Sequence, residues 1–290
     1  MTAKTRIDTE LTRRGLAESR EKAQAAIMAG EVFLNGIRVR KASETVQEED
    51  QIEIRAASPR YVSRGALKLE KARTRFGADF HDQVVMDVGA STGGFTDVCL
   101  QNGARKVYAI DVGYGQLDWK LRNDERVCVM ERTNARYLTP EQFEERPRIA
   151  VMDVSFISIR LILPALTGIL GEEGVIYTLI KPQFEAGRDQ VGKKGVVRDP
   201  AVHAEVIRQI LDFVPTLNWR MTGLDFSPIT GPEGNIEFLA ELTPASRGRK
   251  ETDPEDIPAL VKQAHAELGR KAAESAGGSE RAPDQRSEKG

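Results

Sequence analysis

Cysteine is scarce in this sequence: Cys99 and Cys128 are its only two, and they form no CxxC pair. Neither a disulfide framework nor a thiolate zinc site is readable from them, and both read as buried free thiols. Histidine occurs three times, at His81, His203 and His265, without HExxH-like spacing, so metal catalysis has no visible ligands and no metal is expected. Long apolar runs are also missing. The best, Ile159 to Leu170, is interrupted by Arg160 and Pro164 and falls short of the ~18 residues a bilayer span requires. The opening MTAKTRIDTE lacks the apolar stretch of a secretory signal. A cytoplasmic protein with no membrane contact is the expectation. Neither sign of charge dominates, with 42 Lys and Arg against 44 Asp and Glu. That balance does not exclude nucleic acid, because binding depends on local patches.

What remains is a chain of 290 residues, 40% hydrophobic and 30% charged. Its length suits one large domain and one small one. Leu11, Leu16, Ala23, Ala26 and Ile27 recur at helical spacing, with Ser19 placed to N-cap a second helix and Gly30 to end it. EVFLNGIRV then predicts two short strands about an Asn35-Gly36 turn, and Gln51 to Ile54 a further strand. The small unit closes at the turn-like Ala57-Ser58-Pro59, giving a domain over 1–59 and a linker over 60–64.

From Tyr61 a basic helix leads to Gly77, and strands then alternate with helices as in an α/β fold. Strands are predicted at Val84 to Val88, Lys106 to Asp111, Arg126 to Met130, Arg148 to Val154, Val175 to Lys181, Arg220 to Phe226 and Ile236 to Leu242. The last two are joined by the turn-rich SPITGPEGN and should pair antiparallel. The expected large domain covers 65–245. A polar tail follows over 246–290, with a helix from Pro258 to Ala273 and a disordered end, AGGSERAPDQRSEKG.

The segment VVMDVGASTGGF sets Gly89, Gly93 and Gly94 between a buried strand and a helix. Glycines there let the backbone approach a ligand at the carboxyl end of the sheet. Their spacing is GxxxGG rather than GxGxxG, and Asp87 suits polar cofactor atoms better than a pyrophosphate. Asp111 ends the next strand, where a carboxylate accepts both hydroxyl hydrogens of a ribose. Loop and acid together favour a nucleoside cofactor over a dinucleotide. A second stretch, GRDQVGKK from Gly187, nearly matches a phosphate loop. Lys194 stands where the metal-binding hydroxyl belongs, which leaves a basic, substrate-facing loop as the better reading.

These motifs also carry a resemblance. RIDTELTRRGLAESREKAQAAIMAGEVFLNG resembles the S4 RNA-binding fold, while SRGALKL, DVGASTGGF, VMDVSFIS, LIKPQFE and GNIEFLAEL resemble the FtsJ-like 2′-O-methyltransferases. With AIDVGYGQL, ERTNAR and GVVRDP in the same order, the chain is similar to the TlyA family, also called the haemolysin A family. The resemblance implies a Rossmann-like S-adenosylmethionine domain, with a seven-stranded sheet whose last strand is antiparallel, behind an α+β S4 domain. It implies 2′-O-methylation of cytidine in 16S or 23S ribosomal RNA, with ribosomal RNA or subunits as partners. It also implies a catalytic tetrad, here Lys68, Asp153, Lys181 and Glu237. Cofactor contacts would come from Asp87, Gly89, Ala90, Ser91, Thr92, Gly93, Gly94, Phe95, Asp111, Val112, Asn134 and Asp153.

The chemistry fits that set. Methyl transfer from a sulfonium is an in-line displacement, so the ribose 2′-oxygen must be held behind the methyl group and lose a weakly acidic proton. Lys181 could accept that proton if burial or the neighbouring Lys68 lowered its pKa, or could stay charged and stabilise the forming alkoxide. Asp153 and Glu237 would orient the amines. The motif DVSFIS lacks the proline-aromatic core of amino-methyltransferases, which favours oxygen over base nitrogen as acceptor. For RNA, Arg6, Arg13, Arg14, Ser19 and Arg20 lie on or beside the first helices, and Arg60, Tyr61 and Arg64 in the linker. Tyr61 stands where the family's linker carries tryptophan.

Overall fold

The computed structural model describes residues 5–17, 19–28, 32–54, 60–192 and 194–277. Contacts divide the chain into two units, Met1–Arg60 and Tyr61–Gly290.

In the first unit β1 (Thr5–Arg6) runs into α1 (Ile7–Arg13), and α2 (Arg20–Met28) follows. Ser19 Oγ accepts the Lys22 N–H at 3.2 Å, the N-cap bond predicted from sequence. The helices bury Ile7, Leu11, Ala23 and Ile27 against Val32, Val39, Val46 and Ile52. Leu16 departs from its predicted place on that face, being 41% exposed beyond the end of α1. β2 (Val32–Leu34) and β3 (Ile37–Arg38) form the expected hairpin, with Asn35 and Gly36 at φ +50° and +79°, as a tight two-residue turn requires. Periodicity gave no sign of β4 (Thr45–Val46), which pairs with β1, whereas β5 (Ile52–Ile54) pairs with β2 as a predicted strand. The expected helix end at Gly30 and the turn at Ala57 to Pro59 lie outside the described residues.

The second unit starts later in helix than predicted, with α3 at Ala66–Phe76 rather than from Tyr61. The cause is a tertiary contact: Val62 N–H donates to Asp97 Oδ2, 35 positions away, at 2.9 Å, holding 61–65 in bends and turns. The elements that follow are β6 (Val84–Val88), α4 (Gly94–Gln101), β7 (Lys106–Ile110), α5 (Trp119–Arg122), β8 (Val127–Met130), β9 (Ile149–Met152) and α6 (Leu163–Leu170). After them come β10 (Val175–Ile180), α7 (Pro182–Glu185), α8 (Pro200–Phe213), β11 (Trp219–Phe226), β12 (Phe238–Pro244) and α9 (Ile257–Gly277).

The seven strands, β6 to β12, are those predicted. They form one sheet in the order β11-β12-β10-β9-β6-β7-β8, with β12 antiparallel to both neighbours. β6, β9 and β10 are buried throughout, as parallel strands covered on both faces must be. Side-chain alternation splits them between two cores. Val85 and Val151 face α3 and α4, while Met86 and Ala150 face α6, α8 and α9. α9 packs Ile257, Val261, Ala264 and Leu268 into the second of these cores. The polar stretch after Thr243 therefore contributes core as far as Leu268, which its composition hid; residues 278–290 lie outside the described set.

Candidate active site

Because five parallel strands and their crossovers share one direction, the ends of β6, β7, β9 and β10 deliver their following residues to one edge of the sheet. A cavity of about 540 Å³ opens there, lined by Gly89, Ser91, Asp111, Asn134, Asp153 and Ser155 among others. That volume lies within the roughly 300–1,000 Å³ range of small-molecule sites. Asp111 is fixed by backbone donors, with Oδ2 accepting Ser91 N–H at 2.8 Å and Oδ1 accepting Gly113 N–H at 2.7 Å. Its remaining lone pairs are available to a diol at the cavity wall.

Gly89 shows why a glycine stands at this wall. Its φ is +83°, and a Cβ would lie 2.6 Å from Asp153 O and 3.1 Å from Val154 Cγ1. Gly93 and Gly94 serve packing instead, since a Cβ would meet Leu121 Cδ1 or Ser63 Oγ, each at 2.3 Å. Asp87 is wholly buried beneath the loop. Its Oδ2 accepts the Thr96 hydroxyl at 2.6 Å, its Oδ1 has no hydrogen-bond partner, and burial pushes its pKa up to about 7.

Beside the cavity, four charged side chains meet. Lys68 Nζ lies 3.0 Å from Asp153 Oδ2 and 2.7 Å from Glu237 Oε2. Lys181 Nζ lies 2.6 Å from Asp153 Oδ1, 4.0 Å from Glu237 Oε1, and donates to Ser155 Oγ at 3.0 Å. The 2.6 Å contact is an ion pair without hydrogen-bond alignment. Burial alone would lower the Lys68 pKa, but Asp153 and Glu237 outweigh it and raise it. The Lys68 amine is therefore held as a cation by its two carboxylate partners. Asp153 moves the opposite way to its burial, held below the usual carboxylate range by Lys181 and Lys68. Next to it, Phe156 adopts φ +66° and is 91% exposed, with its ring 5.2 Å from that of Phe184.

The family model for FtsJ-like methyltransferase matches residues 61–243, and that for the S4 domain residues 5–52. The 16S/23S rRNA (cytidine-2′-O)-methyltransferase TlyA of Mycobacterium tuberculosis is 46% identical over 243 residues, 83% of this chain and 91% of that one. The chain belongs to the TlyA family. The Bacillus subtilis protein YqxC, another relative, is 52% identical over 274 residues, 93% of this chain and 98% of that one. The solved structure of a protein named as a hemolysin from Streptococcus thermophilus superposes with a TM-score of 0.71 at 46% identity, covering 94% of this chain and all of that one.

Of the residues that the TlyA resemblance nominates, Lys68, Asp153, Lys181 and Glu237 come together. Gly89, Ser91, Asp111, Val112, Asn134 and Asp153 line the cavity. Asp87, Ala90, Thr92, Gly93, Gly94 and Phe95 do not line it, and most of them form the buried base of the loop. Gln116, Thr133, Ser155 and Phe156 line the cavity without having been nominated, although Gln116 lies in AIDVGYGQL and Ser155 and Phe156 in DVSFIS. A polar residue two places past a strand-end carboxylate was the readable signal for Ser155.

Two RNA-contact expectations change. Tyr61 is 5% exposed and its hydroxyl donates to Glu70 Oε1 at 2.6 Å, so its buried ring has no face for a base. Arg14 spends its guanidinium on Glu10 and on the carbonyls of Gln47, Glu48 and Asp50. Arg13 pairs with Glu10, whose carboxyl Arg13 and Arg14 hold down to about 2. Arg6 and Arg20 share the buried Asp8, each keeping about half its side-chain surface exposed. Arg60 and Arg64 are exposed. Among the described residues no group of three or more His, Cys, Asp or Glu is placed to hold a metal ion, and no helix is long and apolar enough to cross a membrane.

Proposed function

We propose that this chain is an S-adenosylmethionine-dependent RNA 2′-O-methyltransferase acting on cytidine ribose in 16S ribosomal RNA, 23S ribosomal RNA or both. The observation that carries the reading is the position of Lys181. Its amine touches Asp153 and Ser155, two side chains of the cavity wall, and so stands where a ribose hydroxyl would meet a bound cofactor.

The cavity fits S-adenosylmethionine on its own chemistry: a backbone-fixed Asp111 for the ribose diol and a Cβ-free wall at Gly89. Bound there, the cofactor supplies an electrophilic methyl group on a positive sulfur. The protein's own residues orient the acceptor. Lys68, kept protonated by Asp153 and Glu237, holds positive charge in the cluster and is unsuited to be the base. With its amine unprotonated, Lys181 would accept the hydrogen bond of the 2′-hydroxyl and receive its proton as the oxygen–methyl bond forms and the methyl–sulfur bond breaks, with Asp153 fixing the amine from the other side. The exposed ring of Phe156 offers a stacking face for the base of the presented nucleotide.

In this reading residues 1–59 are the RNA-binding module, 60–64 a linker, and 65–245 the methyltransferase domain, completed by α9. Arg6, Arg13, Arg20, Arg60 and Arg64 approach RNA phosphates, Ser19 caps α2, and the enzyme works in the cytoplasm on ribosomal subunits. The test is incubation of purified protein with methyl-labelled S-adenosylmethionine and undermodified ribosomal subunits. Label should enter RNA as 2′-O-methylcytidine, and Lys181→Ala should abolish it. Label confined to protein, or full activity of the Lys181→Ala variant, would overturn the reading.

A further inference from the structure

A buried hydrogen-bonded chain connects the C-terminal helix to the approach of Glu237. Asn235, two residues before Glu237 and 3% exposed, accepts Val197 N–H at 3.0 Å through Oδ1 and donates to Gly195 O at 2.9 Å through Nδ2. The carbonyl of the same Val197 lies 3.1 Å from His203 Nε2, and His203 Nδ1 lies 3.0 Å from His265 Nε2 on α9. One residue is thus pinned at both its backbone donor and its acceptor.

The proton positions follow from the partners. A carbonyl only accepts, so His203 Nε2 carries hydrogen. His203 is fully buried and its pKa is pushed down to about 4, first by burial and then by His265, so it is neutral and its Nδ1 must accept. His265 Nε2–H is then the donor. Each link has one available polarity.

The chain holds the far end of a particular segment. Residues 187–192 begin shortly after Lys181 and α7, and residues 195 and 197 are fastened by Asn235, two residues before Glu237, so each end of the segment is tied close in sequence to a tetrad residue. Arg188, Lys194 and Arg198 on it are exposed and form no ion pair among the described residues. Exposed cations without carboxylate partners suit phosphate oxygens. Asn235, Val197 and His203 lie within the FtsJ-like match, which ends at residue 243, while His265 on α9 lies beyond it, so only the His265 link is additional to that matched part.

We propose that Asn235, His203 and His265 are positioning residues that hold the basic stretch of 187–192 and 194–198 beside the tetrad, where Arg188, Lys194 and Arg198 grip the backbone of the substrate RNA. This rests on the methyltransferase reading above, and the experiment separates the two. In the full chain, His265→Leu removes the donor while keeping an apolar side chain, and His265→Gln keeps an N–H at that position.

With undermodified ribosomal subunits as substrate, His265→Leu should raise KM about three- to tenfold, the scale of one net hydrogen bond. The Kd for S-adenosylmethionine should stay within about twofold of wild type, and His265→Gln should restore KM. Arg198→Gln, an exposed change with no fold to lose, should raise KM and flatten its salt dependence. Wild-type KM in both His265→Leu and Arg198→Gln, or equal losses in the Leu and Gln variants, would overturn the inference while leaving the methyltransferase reading intact. Wild-type protein that puts no label on RNA would overturn both.

Discussion

Replacing Lys68 by methionine asks whether the four charged side chains behave as one electrostatic unit. Lys68 Nζ stands 2.7 Å from Glu237 and 3.0 Å from Asp153. Without it Asp153 keeps Lys181 at 2.6 Å, but Glu237, 1% exposed, retains a cation only at 4.0 Å. Removing one partner of a buried pair costs about 3–5 kcal/mol, because the survivor is left uncompensated. For a unit of this size each kcal/mol is worth roughly 2–4 °C, so Lys68→Met should melt about 6–20 °C below wild type at neutral pH.

The double variant Lys68→Met/Glu237→Gln removes the stranded charge together with its partner. Neutral replacement of both members of a buried pair is close to energetically neutral, so most of the lost stability should return while methylation stays abolished. The pH dependence has a definite sign. Because Asp153 and Glu237 raise the Lys68 pKa above 10.5, its stabilisation is complete below that value and disappears only as pH rises through the raised one. Calorimetric melting of the two single variants, the double variant and wild type measures the coupling. A Lys68→Met protein melting within about 2 °C of wild type, or a double variant no more stable than Lys68→Met, would refute the reasoning.

Gly89→Ala places a methyl group 2.6 Å from Asp153 O on a backbone at φ +83°. Relief must come from the loop after β9, so affinity for S-adenosylmethionine should fall by about tenfold or more, at an overpacking cost of about 1–3 kcal/mol. Titration calorimetry giving a Kd within twofold of wild type would show that the wall is not at this glycine. Asp87→Asn should alter the pH profile of stability. A carboxyl whose folded pKa is raised to about 7 binds its proton more tightly when folded, so its contribution to stability falls as pH rises from about 4 through 7. Thermal melts should show the asparagine variant gaining on wild type from pH 5 to pH 8, and parallel curves would count against a buried, proton-retaining Asp87.

Much of the site was legible because strands announce their own ends. Short, β-branched-rich apolar runs such as VVMDV and VIYTLI, bounded by turn residues, read as covered strands, and the polar residues that follow such runs, Asp111, Asp153 and Lys181, emerge at one edge of a parallel sheet. The hairpin at Asn35-Gly36 and the N-cap at Ser19 were readable for the same local reason: backbone geometry over a few residues chose those side chains. Tyr61 and Arg14 were not readable. An aromatic or a basic residue near a linker or helix looks alike whether it meets solvent or protein, and only Glu70 and the carbonyls of Gln47, Glu48 and Asp50 show which.

By itself, then, the sequence determined the order of elements, the direction of the strands and which residues stand at their carboxyl ends, since these follow from periodicity and turn chemistry along the chain. Tertiary structure alone decided that Lys68 completes its charge balance with Glu237, 169 positions away by sequence number, that Phe156 turns outward on a left-handed backbone, and that a helix of polar appearance reaches Asn235 through two histidines. Those outcomes depend on burial and on distances between groups remote in sequence. No local pattern encodes either quantity, because a buried charge is tolerated only when distant partners arrive to meet it.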